Sequence, residues 1–279
     1  MSRDFVRELE RVCGRDEGRG VRTVSLADLT ALCQQENLPL REGARQALES
    51  GAVPLPLLKC LHGVSTGGQA RLMDGTVLLV GAGGLGGYVL ELLARFGVGR
   101  IVVADGDVFE ESNLNRQLLS SVDDLGRNKA LVGAERAARI APMAEVRALE
   151  MFLDRSNLPQ ALQGVDVVLD ALGGIEPRIA LHDVALEMNI PVVAGGVAGW
   201  TAVVGSETRG RRGISLMWGD ADAPDAERTL GSLAPAVSLA AALMAAEASR
   251  YLLHGELALA GRMLHADLSS FSFEIYEME

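Results

Sequence analysis

Val77-Leu78-Leu79-Val80-Gly81-Ala82-Gly83-Gly84-Leu85-Gly86-Gly87 decides the fold of this 279-residue chain. An apolar run enters a glycine-rich turn, a helical pattern follows to Gly97, and a second apolar run, Ile101-Val102-Val103-Ala104, ends in Asp105. That order makes a βαβ unit whose glycines permit a tight turn and a close backbone approach to phosphate. Amides at the helix N-terminus meet the phosphate charge, and the acid ending the second strand bonds a ribose hydroxyl. Gly81, Gly83, Gly84, Gly86 and Asp105 are therefore candidate nucleotide-binding residues.

Outward from this unit, apolar runs alternate with helical patterns, as in a doubly wound, Rossmann-like, mainly parallel α/β sheet. A polar loop carries Asn113, Asn115, Arg116 and Gln117, and a helix over 128–140 stops at Pro142. Strands are expected at 146–152, 165–170 and 191–194, with a helix over 177–188. Beyond Gly195 the pattern predicts strands at 201–204 and 213–218, a polar loop from Gly219 to Arg228, a helix over 236–253 and a last strand at 271–276. Residues 1–70 read as an N-terminal helical extension: Phe5, Leu9 and Val12 have helical spacing, and Ser25 is placed to cap a second helix. The remainder, 71–279, reads as one nucleotide-binding domain. A helix-turn-helix around Asn37, Leu38 and Pro39 is disfavoured because its second helix carries few basic residues.

Composition excludes several classes. The chain has 26 basic against 37 acidic residues, a net charge of −11, and only Arg209, Arg211 and Arg212 cluster, which argues against a general nucleic-acid binder. Cys13, Cys33 and Cys60 are odd in number and far apart, so neither a zinc ribbon nor a disulfide framework is indicated. With charged residues interrupting the first dozen positions, the chain reads as cytoplasmic. The most apolar stretch, 233–246, reads as too short and too weakly apolar for a membrane span.

Asp105-Gly106-Asp107, Ser112-Asn113-Leu114-Asn115-Arg116-Gln117 and Gly126-Arg127-Asn128-Lys129, taken in order after the glycine-rich turn, resemble the ThiF/MoeB/HesA family of the ubiquitin-activating enzyme superfamily. The resemblance runs from about Gln69 to the C-terminus. It implies an adenylyltransferase that uses ATP and Mg2+ to activate the C-terminal carboxylate of a ubiquitin-like or sulfur-carrier protein. It further implies that Arg116, Lys129 and Asn113 are the catalytic set around the phosphates, that Asp105 contacts the ribose, and that Ser112 and Asp107 border the nucleotide.

Three departures qualify that implication. Gly173-Gly174 stands where the family has a magnesium-binding aspartate, which leaves the metal ligands unknown. Asp170 and Asp107 are the acids nearest to hand. Lys59 is the nearest cation to the arginine that family dimers supply across a two-fold axis, so a homodimer is expected. Neither zinc cysteines nor a catalytic cysteine follows late in the chain, so no zinc and no enzyme thioester are expected. Alternatives are a catalytically impaired nucleotide-binding partner protein or an ATP-dependent enzyme resembling a tRNA dehydratase; an NAD-dependent oxidoreductase leaves the 113–117 loop without a role.

Overall fold

The N-terminal part folds around its own core. Helix α1 (Arg3–Val12) presents Phe5 and Leu9 to it from one face, and strands β1 (Gly14–Asp16) and β2 (Val21–Val24) follow as an antiparallel pair. Ser25 caps α2 (Leu26–Gln35) by accepting from the Asp28 amide. Helix α3 (Leu40–Glu49) follows, and β3 (Ala52–Pro54) pairs parallel to β2. The expected N-terminal helices are present, and a small sheet that the sequence pattern did not predict, ordered β1-β2-β3, sits among them. Its strands are too short and too polar for alternation to reveal them, as Gly14-Arg15-Asp16 illustrates. After a 3-10 turn at Leu55–Cys60, α4 (Thr66–Asp74) runs unbroken through positions 70 and 71. Its Met73 belongs to the N-terminal core and its Leu72 to the main one.

This computed structural model describes residues 3–218 and 226–278. Of the polar loop expected from Gly219 to Arg228, positions 219–225 lie outside the described residues. From β4 (Thr76–Val80) onward the chain alternates: α5 (Gly84–Phe96), β5 (Arg100–Ala104), α6 (Lys129–Ile140), β6 (Glu145–Leu149), α7 (Leu158–Ala161), β7 (Val167–Asp170), α8 (Glu176–Glu187) and β8 (Val192–Ala198). It closes with β9 (Thr201–Glu207), α9 (Ala226–Leu230), α10 (Ala234–His254), β10 (Arg262–Asp267) and β11 (Ser272–Glu277). The eight strands stand in the order β11-β10-β9-β8-β7-β4-β5-β6. Strands β8, β7, β4, β5 and β6 are mutually parallel, and β9, β10 and β11 extend the sheet antiparallel.

Strand β4 is buried on both faces, as a central parallel strand must be: Val77 and Leu79 enter the core beneath α5 and α10, while Leu78 and Val80 enter the one beneath α7 and α8. From β4 the chain first winds to β5 and β6, then returns to β7 on its other side. The crevice at the carboxyl ends of β4 and β7 is therefore the topological switch point, where such sheets bind ligands. The glycine-rich turn lies there.

Two further expectations need correction. The 213–218 stretch is no strand but a 3-10 turn over Ile214–Met217, because the Glu207 carboxylate accepts from the amides of Gly213 and Ser215 and bends the backbone. Helix α10 is long and apolar enough to cross a membrane, contrary to the sequence reading. Its Ala236, Val237, Ala240, Ala241 and Met244 instead pack in the main core, which accounts for their apolarity.

A Cβ at Gly86 would stand 1.8 Å from the Gly81 carbonyl oxygen, whereas one at Gly67 meets nothing within 4 Å. Gly86→Ala is expected to cost about 1–3 kcal/mol of stability and Gly67→Ala, in helix α4, to stabilise by up to about 1 kcal/mol, by chemical denaturation.

Candidate functional site

The turn between β4 and α5 is shaped by backbone proximity. Gly81 has φ +94°, and a Cβ there would lie 2.5 Å from the Ala171 carbonyl at the end of β7. Gly83 is the N-cap of α5, and no side chain caps that helix end. Its first-turn amides are thus left for an anion in the crevice. Gln117 lies beside Gly83, buried, and its Oε1 has no hydrogen-bond partner. An orphaned acceptor at this position is a second mark of a ligand site.

Asp105 closes the β5 side. Its Oδ2 accepts from the Ala82 amide at 2.7 Å and its Oδ1 from the Asp107 amide at 2.8 Å, so the acid is fixed against the glycine turn. Burial raises its pKa, and those two amide bonds and Lys129 oppose the rise. Asn128, which sequence reasoning passed over, caps α6 by accepting from the Leu131 amide and donates to the Asp105 and Asp107 carbonyls. The cap thereby places Lys129, buried at the start of α6, with its Nζ 3.3 Å from Asp107 Oδ2. Arg116 donates from Nη1 to the Ser112 carbonyl at 3.0 Å and to Asn115 Oδ1 at 3.1 Å.

These groups converge on a cleft of about 340 Å³ lined by Gly81, Gly83, Gly84, Asp105, Asp107, Arg116, Gln117 and Lys129. Gly86, Ser112 and Asn113 do not line it. Gly86 serves the packing of the turn. Asn113 is buried and accepts from the Glu110 amide at 3.1 Å, which closes the turn that carries Arg116. A second cavity of about 730 Å³ adjoins the cleft, shares Leu172, Gly173 and Gly196 with it, and extends to Thr201, Met217 and Trp218.

Behind the wall between these spaces lies an ionic chain that sequence spacing did not reveal. His182 is fully buried, its Nε2 3.1 Å from Asp170 Oδ2 and its Nδ1 3.0 Å from Glu207 Oε2. Arg178 stands 3.6 Å from Asp170 and donates to the Leu172 and Gly195 carbonyls. The only advance signal was that Arg178 and His182 stand four apart on one helix face.

The nucleotide and the metal fare differently against this set of groups. A nucleoside triphosphate fits: bare glycine backbone, uncapped helix amides, two cations and a fixed acid share one cleft. Magnesium does not. Asp170 is enclosed by Arg178 and His182, Asp107 faces Lys129, Asp105 holds two amides, and Gly173 offers no ligand. Among the described residues no group of three or more His, Cys, Asp or Glu side chains is placed to hold a metal ion. Cys60 lies outside the cleft lining, and burial pushes its thiol pKa up, away from a reactive thiolate. Lys59 is exposed in the turn beside the C-terminal end of α5, where Leu57 packs near Gly97, so it is remote from this chain's own cleft. From the arginine cluster, Arg212 is engaged with Asp183 and Glu207.

Comparison with known proteins agrees with this geometry. Residues 57–279 match the model of the ThiF family. The chain is 34% identical over 210 residues to the SAMP-activating enzyme E1 of Haloferax volcanii, covering 74% of this chain and 78% of that protein. It is 36% identical over 217 residues to the sulfur carrier protein adenylyltransferase of Thermus thermophilus, covering 74% and 79%. Among solved structures, the microcin C7 biosynthetic enzyme MccB in complex with N-formylated MccA superposes with a TM-score of 0.69 at 21% identity, over 90% of this chain and 83% of that one. Escherichia coli MccB with ATP gives 0.65 at 23% identity, over 76% of this chain and 66% of that one. At such identities the structural matches speak to the fold.

Proposed function

The chain belongs to the ThiF family, and from that premise we propose that it is an ATP-dependent adenylyltransferase that activates the C-terminal carboxylate of a small ubiquitin-like or sulfur-carrier protein, with no enzyme thioester. The observation that carries this reading is the meeting of the uncapped α5 N-terminus with Asp105, Arg116 and Lys129 in one cleft at the switch point.

In the proposed reaction a carboxylate oxygen of the carrier attacks the α-phosphorus of ATP, the bond to the β-phosphate oxygen breaks, and pyrophosphate leaves with the electron pair. Attack brings two anions together, so the protein's task is to offset charge. Lys129 and Arg116 both line the cleft and supply two positive charges, and the α5 amides supply fixed dipoles. Asp105, already held by two backbone amides, keeps a further acceptor lone pair on each oxygen for ribose hydroxyls. The adjoining cavity, walled by Gly173, Gly174 and Gly196, suits an extended chain end without bulky side chains. Residues 71–279 would carry this activity, with 1–70 as an extension.

Gly173 stands where we place the family's metal carboxylate, so binding and turnover should separate. Its backbone is outside the positive-φ region and a Cβ there meets nothing within 4 Å, so aspartate is accommodated without strain. Gly173→Asp is expected to raise pyrophosphate exchange measured with a Gly-Gly-terminated carrier and leave ATP affinity within about twofold, whereas Arg116→Ala weakens ATP binding by about tenfold or more. Exchange that is already rapid and indifferent to Gly173→Asp would show that another group holds the metal. No exchange in either protein, with ATP still bound, would favour a nucleotide-binding partner protein.

A homodimer is the second part of the proposal, since Lys59 cannot serve its own cleft and a two-fold neighbour would bring it to the other. Light scattering at micromolar concentration should report twice the chain mass; a monomer with intact ATP binding would refute it.

A further inference from the structure

His182 has no place in the chemistry above, yet it bonds, behind the cavity walls, to two acids that hold those walls. Each ring nitrogen faces a carboxylate oxygen, Asp170 on β7 at 3.1 Å and Glu207 on β9 at 3.0 Å. An ionised carboxylate only accepts hydrogen bonds, so both nitrogens must donate, and the ring is an imidazolium. The charged groups around it are those two acids, Arg178 on its own helix, and Arg212 with Asp183 beyond Glu207.

The other oxygens of the same acids reach the cavity walls. Asp170 Oδ1 accepts from the Leu172 amide at 3.0 Å, while Arg178 donates to the Leu172 carbonyl, so the segment before Gly173 is held at both peptide groups. Glu207 Oε1 accepts from the Gly213 and Ser215 amides at 2.8 Å each. The turn thus fixed carries Trp218, whose ring lies edge-on to His182 at 4.4 Å and under the Arg178 guanidinium at 5.5 Å. One side chain therefore joins the Leu172–Gly173 wall, which the nucleotide cleft shares, to the 213–218 wall of the adjoining cavity.

We propose that His182 is a positioning residue: its imidazolium ties these two walls together and sets the width of the passage by which an extended substrate carboxylate reaches the nucleotide. The adenylation reading enters only in naming what travels that passage. Burial pulls the imidazole pKa down, but the bonds and charges of Asp170 and Glu207 outweigh it and leave the group raised from 6.5. The clamp is accordingly complete below that ordinary value and is lost as pH rises through the raised one. From the acid side, Glu207, held at about 2 against burial by His182 and the turn donors, keeps its part of the clamp above 4.5 and loses it as pH falls toward about 2.

The test uses the full chain. In protein labelled with 15N-histidine, with His182 assigned by its loss in His182→Gln, both ring nitrogens should be protonated at pH 7.5. In a Trp200→Phe background, Trp218 emission should change as pH rises through the His182 transition. His182→Gln should show the high-pH emission at every pH while keeping native circular dichroism. If that variant does not fold, Glu207→Gln should produce the same emission change. In pyrophosphate exchange with a Gly-Gly-terminated carrier, His182→Gln should raise KM for the carrier about tenfold and leave KM for ATP within about twofold.

A ring nitrogen lacking its proton at neutral pH, Trp218 emission indifferent to pH and to the substitution, or KM values that move together or not at all would overturn the proposal. Absence of exchange in the unaltered protein would count against adenylation and not against the clamp, which the nitrogen shifts and Trp218 read independently.

Discussion

The structure depends on two backbones that approach closer than any side chain permits. Gly81 turns with positive φ against the Ala171 carbonyl, and Gly86, one turn into α5, rests on the Gly81 carbonyl. Those contacts draw the N-terminus of α5 down onto the ends of β4 and β7 and aim its amides into the crevice between them. Glycine at these positions costs the folded state about 0.5–1 kcal/mol each in chain entropy relative to alanine. The cost is offset by the core beneath, where Val77, Leu79, Leu85, Val89 and Leu93 are buried together.

From that turn outward the site assembles by hydrogen bonds to backbone. Asp105 ties β5 to Ala82, Asn128 ties α6 to the Asp105 and Asp107 carbonyls, and Lys129 follows Asn128 into the cleft. The cations are thereby delivered by a loop whose ends are fixed, while Arg116 donates to the Ser112 carbonyl and Asn115 within that loop. Lys129, by contrast, is buried and paired with Asp107.

The sequence made legible what local chemistry controls. Apolar runs broken by glycine located β4, α5 and β5, and the capping position of Asn128 matches the expected start of the helix at 128. What remained hidden depends on contacts between distant residues. The 213–218 stretch is apolar enough to read as a strand, and the Glu207 carboxylate at the end of β9, which bonds the Gly213 and Ser215 amides, makes it a turn. His182 shows no ligand spacing because its partners come from β7 and β9, which become neighbours of α8 only through the sheet order. Asn113 belongs to the shared motif as the polar contact beside Arg116, and its burial and its bond from the Glu110 amide, which the motif does not reveal, help to close the turn that carries Arg116.

The central claim is that the crevice accepts a nucleoside triphosphate rather than a dinucleotide. Titration calorimetry of the full chain with ATP and, separately, with NAD tests it most directly. The account predicts a saturable ATP isotherm with NAD at least about tenfold weaker. NAD binding more tightly than ATP, or no binding of either, would contradict it.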